Sequence, residues 1–587
     1  MGRLALTWFN QDKAVLPDAD GGYEWVECDD PRVTEVRLLE EVARVGEVSG
    51  TPDDNLLIHG DSYDALLALV RTPEYAERYR GKVKLVYIDP PFNTGQAFEH
   101  YEDNFDHSIW LTLFRDRVRL LHDLLTEDGS IWVHLDHTEV HRARSVLDDE
   151  FGSSSFVAEI VWQKTYTREN RTDISTSHDV ILVYAINRAG WKHVRNKLPS
   201  SAAQIARYIN PDNDPRGPWK PTPLHAKAEA GRRAAQFFTV TTPSGRSVDP
   251  PPGRCWLVTR DRYEELLADQ RISFGARGDG VPTLKKFLNE VAVGLVPTTL
   301  WFYDEVGGTG TAKDEIKDLF PKASVPFSTP KPERLLQRVL QIGSNPGDIV
   351  VDCFGGSGTT AAVAHKMGRR WVTVEAQANT IQTFTKPRLE KVVDGSDEGG
   401  ITFVDERVTE LELPDDVTVR ELDDARKTLA KLVEAGALDA DETVLAELLK
   451  QLRTKRSSQR MWHGGGGFRF LRVEEPQVVV AGNRAVLRDA ALGRLPEYVA
   501  AQLGYTAATD RRGVVGLKGR DVLVVVAGVV DEQQVAFGVS LLNEHETLTM
   551  AGLAIHPLAR TAMTAAPAGS RVLKVPDDLV SRSKVLR

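Results

Sequence analysis

Short apolar runs and longer amphipathic stretches alternate between about residues 55 and 185. The runs at 55–59, 83–88, 130–135 and 180–184 are bounded by polar or turn residues, and each predicts a strand. Between the second and third, positions 110–125 place apolar residues at steps of three and four, which predicts a helix with one buried face. Strand and helix in alternation predict an α/β fold with a doubly wound, mostly parallel sheet. From about 165 to 290 the rhythm breaks, with Pro211, Pro215, Pro218, Pro221 and Pro223 followed by three consecutive prolines at 250–252. It resumes with a helix over 332–342, a buried strand over 348–352, a glycine-rich turn, a helix over 359–367 and a strand over 371–375. One sheet interrupted by an insertion accounts for both halves. Leu, Ala and Glu at helical spacing then run from about 406 to 449, four glycines at 464–467 form a joint, and runs at 522–526 and 535–539 predict strands of a small α/β module.

These patterns divide the chain into an N-terminal extension (1–50), a first half of the sheet domain (51–190), an insertion (191–295), a second half (296–405), a helical segment (406–463) and a C-terminal module (464–587). A length of 587 residues allows several separate cores. The formal net charge of -11 excludes a protein that coats nucleic acid over its whole surface. The broken stretch at 165–290 nevertheless carries about twenty Lys and Arg against thirteen Asp and Glu, so it predicts a local basic face. Cys28, Cys255 and Cys353 stand far apart, which indicates neither a disulfide framework nor a cysteine metal site and fits a reducing cytoplasm. Polar residues at 10–13 cut short any secretory signal, and no later stretch is apolar for the length of a membrane span.

Two constellations carry chemistry. Asp352-Cys353-Phe354-Gly355-Gly356-Ser357-Gly358-Thr359-Thr360 joins a strand to a helix, where glycines let a ligand approach the helix N-terminus. Such a turn also serves dinucleotides, or no ligand at all. Glu375, at the end of the next strand, adds a carboxylate that can accept from both hydroxyls of a ribose, and together they describe a nucleoside site. Asp89-Pro90-Pro91-Phe92 follows an apolar run directly, at the carboxyl end of a strand, where open α/β sheets bind ligands. Its prolines stiffen the backbone, so that the Asp89 carboxylate and the Pro90 carbonyl form two fixed acceptors for an exocyclic amine, with Phe92 as a stacking face for a base. An ordinary turn with a core phenylalanine is the alternative. His107 has no nucleophile motif beside it and reads as a pocket or core residue, and the loop at 307–313 lacks the spacing of a phosphate-binding loop and reads as a turn near the nucleoside.

The two motifs, in this order and with a basic insertion between them, resemble those of β-type amino-group DNA methyltransferases. Further matches at 57–61, 103–111, 125–131, 331–335 and 387–389 resemble the modification subunit of type III restriction-modification systems. The resemblance implies a permuted methyltransferase sheet with an inserted DNA-recognition domain, Asp89, Pro90, Pro91 and Phe92 as the catalytic motif, and S-adenosylmethionine as cofactor. It implies that Asp61 holds the adenine ring of the cofactor, that Asp352, Phe354, Gly355, Gly356, Ser357, Gly358 and Thr359 surround its methionine and ribose, that Glu375 takes the ribose hydroxyls, and that Lys331 and Leu335 cover the methionine end. No metal is required. Double-stranded DNA is the expected partner, gripped through Trp191, Trp219, Arg232, Arg233, Arg254 and Trp256 of the insertion, and a homodimer and a restriction subunit are further implied partners. Phe92 stands where the family more often has tyrosine, which keeps stacking and removes a hydroxyl. Asp at 89 resembles adenine-N6 enzymes more than cytosine-N4 enzymes. Both remain open, as does a subunit that recognises DNA for a separate translocase or nuclease.

Overall fold

The computed structural model describes residues 6–582 apart from 19–21, 52, 95–104, 200–204, 206, 229–232, 291–293, 322, 324–326, 412, 414–416, 418, 438–440, 482–483 and 509. It comprises two compact units, one of residues 1–196, 298–404 and 459–587, the other of residues 197–297 and 405–458.

The first unit is built on one sheet whose strands, among the described residues, are β1 (Leu39–Gly46), β2 (Asn55–His59), β3 (Val83–Ile88), β4 (Leu125–Leu135), β5 (Phe156–Gln163), β6 (His178–Ala185), β7 (Leu300–Trp301), β8 (Ile349–Asp352), β9 (Arg370–Glu375) and β10 (Gly467–Val473). Their spatial order is β7-β5-β6-β4-β3-β8-β9-β2-β10-β1. Strands β1 and β6 run against the rest, so the sheet is mostly parallel. The permuted order is visible at its centre, where β8 and β9 come late in the chain yet separate β3 from β2, with Glu375 opposite His59. Central strands read as unbroken apolar runs because both of their faces are covered. Helices α1 (Ser62–Arg71) and α2 (His107–Leu124) share a core with Leu56, Val86 and Val351. On the opposite face α3 (Glu333–Gly343) approaches so closely that a Cβ on Gly343 would stand 2.4 Å from Leu85. Helices α4 (Thr359–Lys366) and α5 (Lys386–Asp394) complete the frame.

Two expected boundaries shift. Strand β1 belongs to the stretch read as an extension, and β10 to the stretch read as the start of the C-terminal module, yet both extend the main sheet. The physical reason is the edge of β2, whose backbone groups would otherwise lack partners, and Phe468 and Leu471 of β10 are fully buried there. The module itself is a five-stranded sheet of Thr506–Ala507, Gly516–Lys518, Asp521–Val530, Thr547–Ile555 and Arg571–Lys574. The expected strand at 535–539 is instead part of the helix Glu532–Ser540, where the Asp531 side chain caps the Gln534 N–H and burial falls on Val535 and Gly538, one helical step apart.

In the second unit, Ile272–Ser273, Thr283–Phe287 and Trp219–Pro223 form a three-stranded antiparallel sheet, and Leu224, Val240, Trp256 and Phe274 form its core. The helical reading of 406–449 corresponds to Val419–Glu434 and Glu442–Gln451. No helix among the described residues is long and apolar enough to cross a membrane.

Candidate functional site

Strands β3, β8, β9 and β2 are adjacent and parallel, so their carboxyl ends meet at one edge. An acid stands at or just beyond each end: Asp89 after β3, Asp352 closing β8, Glu375 closing β9 and Asp61 after β2. All four line one cavity of about 490 Å³, together with Phe92, Lys331 and the turn that follows Asp352.

That turn is shaped by its glycines. Gly356 and Gly358 have φ of 51° and 78°, the left-handed region that side chains disfavour, and a Cβ on Gly355 would stand 2.6 Å from Thr373 Oγ1. Glu375 braces the turn from the next strand, accepting the Gly356 N–H at 2.8 Å and the Gln377 N–H at 2.8 Å. Asp352 Oδ1 accepts the Phe354 N–H at 3.0 Å. Behind the turn, buried Arg388 donates to Thr359 Oγ1 at 2.8 Å and to Glu333 Oε1 at 2.8 Å, anchoring the first residue of α4.

Burial pushes the Asp352 carboxyl up to about 7; the Thr360 hydroxyl and Phe354 N–H oppose this, and the charges of Asp89 and Glu375 reinforce it. Burial raises Glu375 as well. Three carboxyl groups beside a buried turn favour a ligand that carries positive charge. Asp61 is more committed. It caps α1 by accepting the Tyr63 N–H at 2.7 Å, and Arg117 Nη2 bridges its two oxygens at 3.0 and 2.8 Å.

Around Asp89 the geometry is asymmetric. Lys331 Nζ donates to Oδ2, while Oδ1 is buried with no hydrogen-bond partner among the described residues. The Pro91 carbonyl accepts the Trp110 indole N–H at 2.7 Å, which ties the motif to α2. Asn93 adopts φ of 61°, donates to Glu139 at 2.8 Å and accepts the Phe105 N–H at 2.7 Å, which ties the end of the motif to both. His107 pairs with the same Glu139, but its side chain is exposed and does not line the cavity, so neither the pocket nor the core place expected for it is found. Phe92 stacks on His134 with ring centroids 6.0 Å apart and planes at 23°, and the Lys331 ammonium lies 5.1 Å from the Phe92 centroid. His134 is fully buried, hydrogen-bonded to Tyr87 at 2.8 Å and 3.4 Å from Asp179 Oδ2; burial lowers its pKa, with Asp179 and Asp89 opposing that shift. Burial would raise Asp179, but His134 and Lys164 together hold it down at about 2.

Not every expected residue reaches the cavity. Leu335 is fully buried in α3, where it packs rather than lining the space, and Gly358 lies behind the turn against Thr385. The loop at 307–313 opens the helix Thr309–Leu319 and does not line it either. Residues 103 and 104 of the further match and Arg232 lie outside the described residues. In the second unit Arg233 and Arg254 are exposed, but Trp219 and Trp256 are buried. The Trp219 indole donates to Asp212 at 2.8 Å, so it packs that small unit instead of facing a partner. Trp191, in the first unit, is buried too. Sequence reasoning missed the hairpin of Ala14–Pro17 and Tyr23–Val26, whose Leu16, Pro17 and Tyr23 line the cavity, along with Arg117 and Gln377. Arg117 had a signal: an arginine on the apolar face of α2, beside Val118 and Leu121.

The profile of the N6/N4 DNA methylase family matches residues 83–386, just over half of the chain. The Mod subunit of the type III restriction-modification enzyme StyLTI from Salmonella typhimurium is 30% identical over 339 residues, covering 52% of this chain and 49% of the relative. The EcoP15I Mod subunit from Escherichia coli is 26% identical over 438 residues, covering 60% and 65%. The type II methyltransferase M.EcaI from Enterobacter cloacae is 28% identical over 316 residues, covering 52% and 64%. This chain therefore spans less than two thirds of the length of each of these relatives. With the four acids and the glycine turn gathered on one edge of a permuted sheet, the chain belongs to the N6/N4 DNA methylase family.

Proposed function

We propose that this chain methylates the N6 amine of adenine in double-stranded DNA, as the modification component of a restriction-modification system. The observation that carries the reading is Asp89 Oδ1, a buried acceptor without a donor among the described residues, at a cavity walled by Asp352, Glu375 and the glycine turn. A buried, unpaired acceptor is costly unless a ligand completes it. S-adenosylmethionine, when bound, supplies the methyl group, and it fits the residues present. The turn at 354–357 would take its methionine and ribose portions, Glu375 would receive the ribose hydroxyls, and the acidic wall suits its positive charge. Asp61, already engaged with Arg117, would act at the adenine end through that pair.

For the target base, Asp89 Oδ1 accepts one amine hydrogen and orients the nitrogen, while Phe92, backed by His134, gives an aromatic surface at the same cavity. A base inside a duplex cannot reach this edge, so the target swings out of the stack. Exposed arginines such as Arg233, Arg246 and Arg254 of the second unit would hold the duplex through its phosphates. Most of the acceleration then comes from positioning two reactants, which supplies roughly 7–11 kcal/mol in well-ordered cases. The relatives' names support a restriction subunit as partner, and a homodimer is the assembly proposed with it.

The test is nucleoside mass spectrometry of DNA from a host without other methyltransferases. The wild-type chain should yield N6-methyladenine and Asp89→Ala none. N4-methylcytosine would overturn the choice of base, and unmodified DNA would favour a recognition role without methylation.

A further inference from the structure

We propose that Lys331 is a positioning residue for the catalytic carboxylate: it occupies Asp89 Oδ2, leaves Oδ1 as that carboxylate's open acceptor, and acts on the chemical step more than on cofactor binding. The inference rests on the reading of Asp89 as the acceptor of the target amine. Three observations carry it. The Lys331 ammonium donates to Oδ2, and Oδ1 of the same carboxylate is buried and unpartnered among the described residues. Lys331 is itself buried, with its side chain 9% exposed, and it follows Pro330 and precedes Pro332, the N-cap of α3, so its backbone is restricted on both sides. Its ammonium also lies 5.1 Å from the Phe92 centroid, within cation–π range, so one side chain sets both elements that would meet the base.

The physical need is specific. The terminal torsion of an aspartate is broad and roughly two-fold, so a carboxylate with two free oxygens has no unique plane. A charged donor on one oxygen fixes that plane, aims the other oxygen, and offsets a negative charge in a site where Asp352 and Glu375 already crowd. One of the three ammonium donors is committed to Oδ2 in this way, and whether the others also serve the cofactor is what a cofactor titration separates from the chemical step.

The experiment compares wild type, Lys331→Met, Lys331→Arg and Asp89→Ala as full chains, using tritiated methyl transfer to unmethylated genomic DNA and calorimetric titration with S-adenosylmethionine alone. Methionine keeps the length of the stem without its charge, and retained cofactor binding shows that each variant is folded. For Lys331→Met we expect kcat at saturating cofactor to fall about 100-fold while the cofactor Kd moves by less than about threefold, and Lys331→Arg to recover about tenfold of the loss. A Kd weakened about tenfold or more with kcat preserved at saturation would assign Lys331 to the cofactor and overturn the inference. Unchanged kcat in Lys331→Met beside an inactive Asp89→Ala would overturn it while leaving the reading of Asp89 intact. A wild-type chain that binds cofactor and methylates no DNA would remove both.

Discussion

Asp352 shows how one residue couples the fold to its ligand. Burial at the end of β8 raises its carboxyl to about 7, so the folded state favours the protonated form. An acid raised in this way contributes stability that is complete below its ordinary range and is lost as pH climbs through about 7. Asp352→Asn, which stays neutral, should therefore melt higher relative to wild type at alkaline pH than at acid pH. Thermal melts across that range check this, and the opposite slope would refute the assignment. A cationic ligand prefers the ionised form, so cofactor binding should tighten as pH rises towards neutrality and release a proton, visible in calorimetry with buffers of different ionisation enthalpy. Asp89, Glu375, the Thr360 hydroxyl and the Phe354 N–H are the groups that face this carboxyl and tune it.

Among the elements, α4 depends on a buried charge cluster that its own sequence does not reveal. Lys366 near its end donates to Glu333 Oε1 and Oε2 at 2.9 and 2.8 Å and forms an ion pair with Asp397 at 2.8 Å, and Arg388 of α5 ties the same Glu333 to Thr359 at the start of α4. Burial opposes ionisation of Glu333, but Lys366 and Arg388 outweigh it and keep the carboxylate charged. Every member is at most 1% exposed at its side chain, so removing one partner leaves an uncompensated charge. Lys366→Met should cost about 3–5 kcal/mol in urea unfolding, far more than a surface lysine of the same helical propensity would. The cluster also holds the glycine turn against β9, because Thr359 begins the helix whose N-terminus faces the cavity.

At the scale of the molecule, one side of the main sheet is completed by segments distant in the chain, with β10 against β2 and β1 against β10. A version ending before residue 459 lacks β10 and exposes the edge of β2, so it should sediment as aggregate while the full chain stays dispersed; a soluble, monodisperse truncation would contradict this pairing. The sequence alone was sufficient for the strands at 55–59, 83–88 and 371–375, the helix facing β3 and the acids at the strand ends, because apolar period and its interruption are local properties. That the sheet is permuted was implied only by the family resemblance of the paired motifs. Tertiary structure decided what depends on partners distant in the chain: that 467–473 pairs with β2 and not with the module, that the paired strands at 14–17 and 23–26 wall the cavity, that Trp219 faces inward, and that Arg117 takes Asp61. Which strand edge is open, and which charge lies within hydrogen-bond reach, is known only once the chain is folded. The bond from Lys331 to Asp89 is of that kind, joining residues of α3's approach and β3's exit that no periodicity connects.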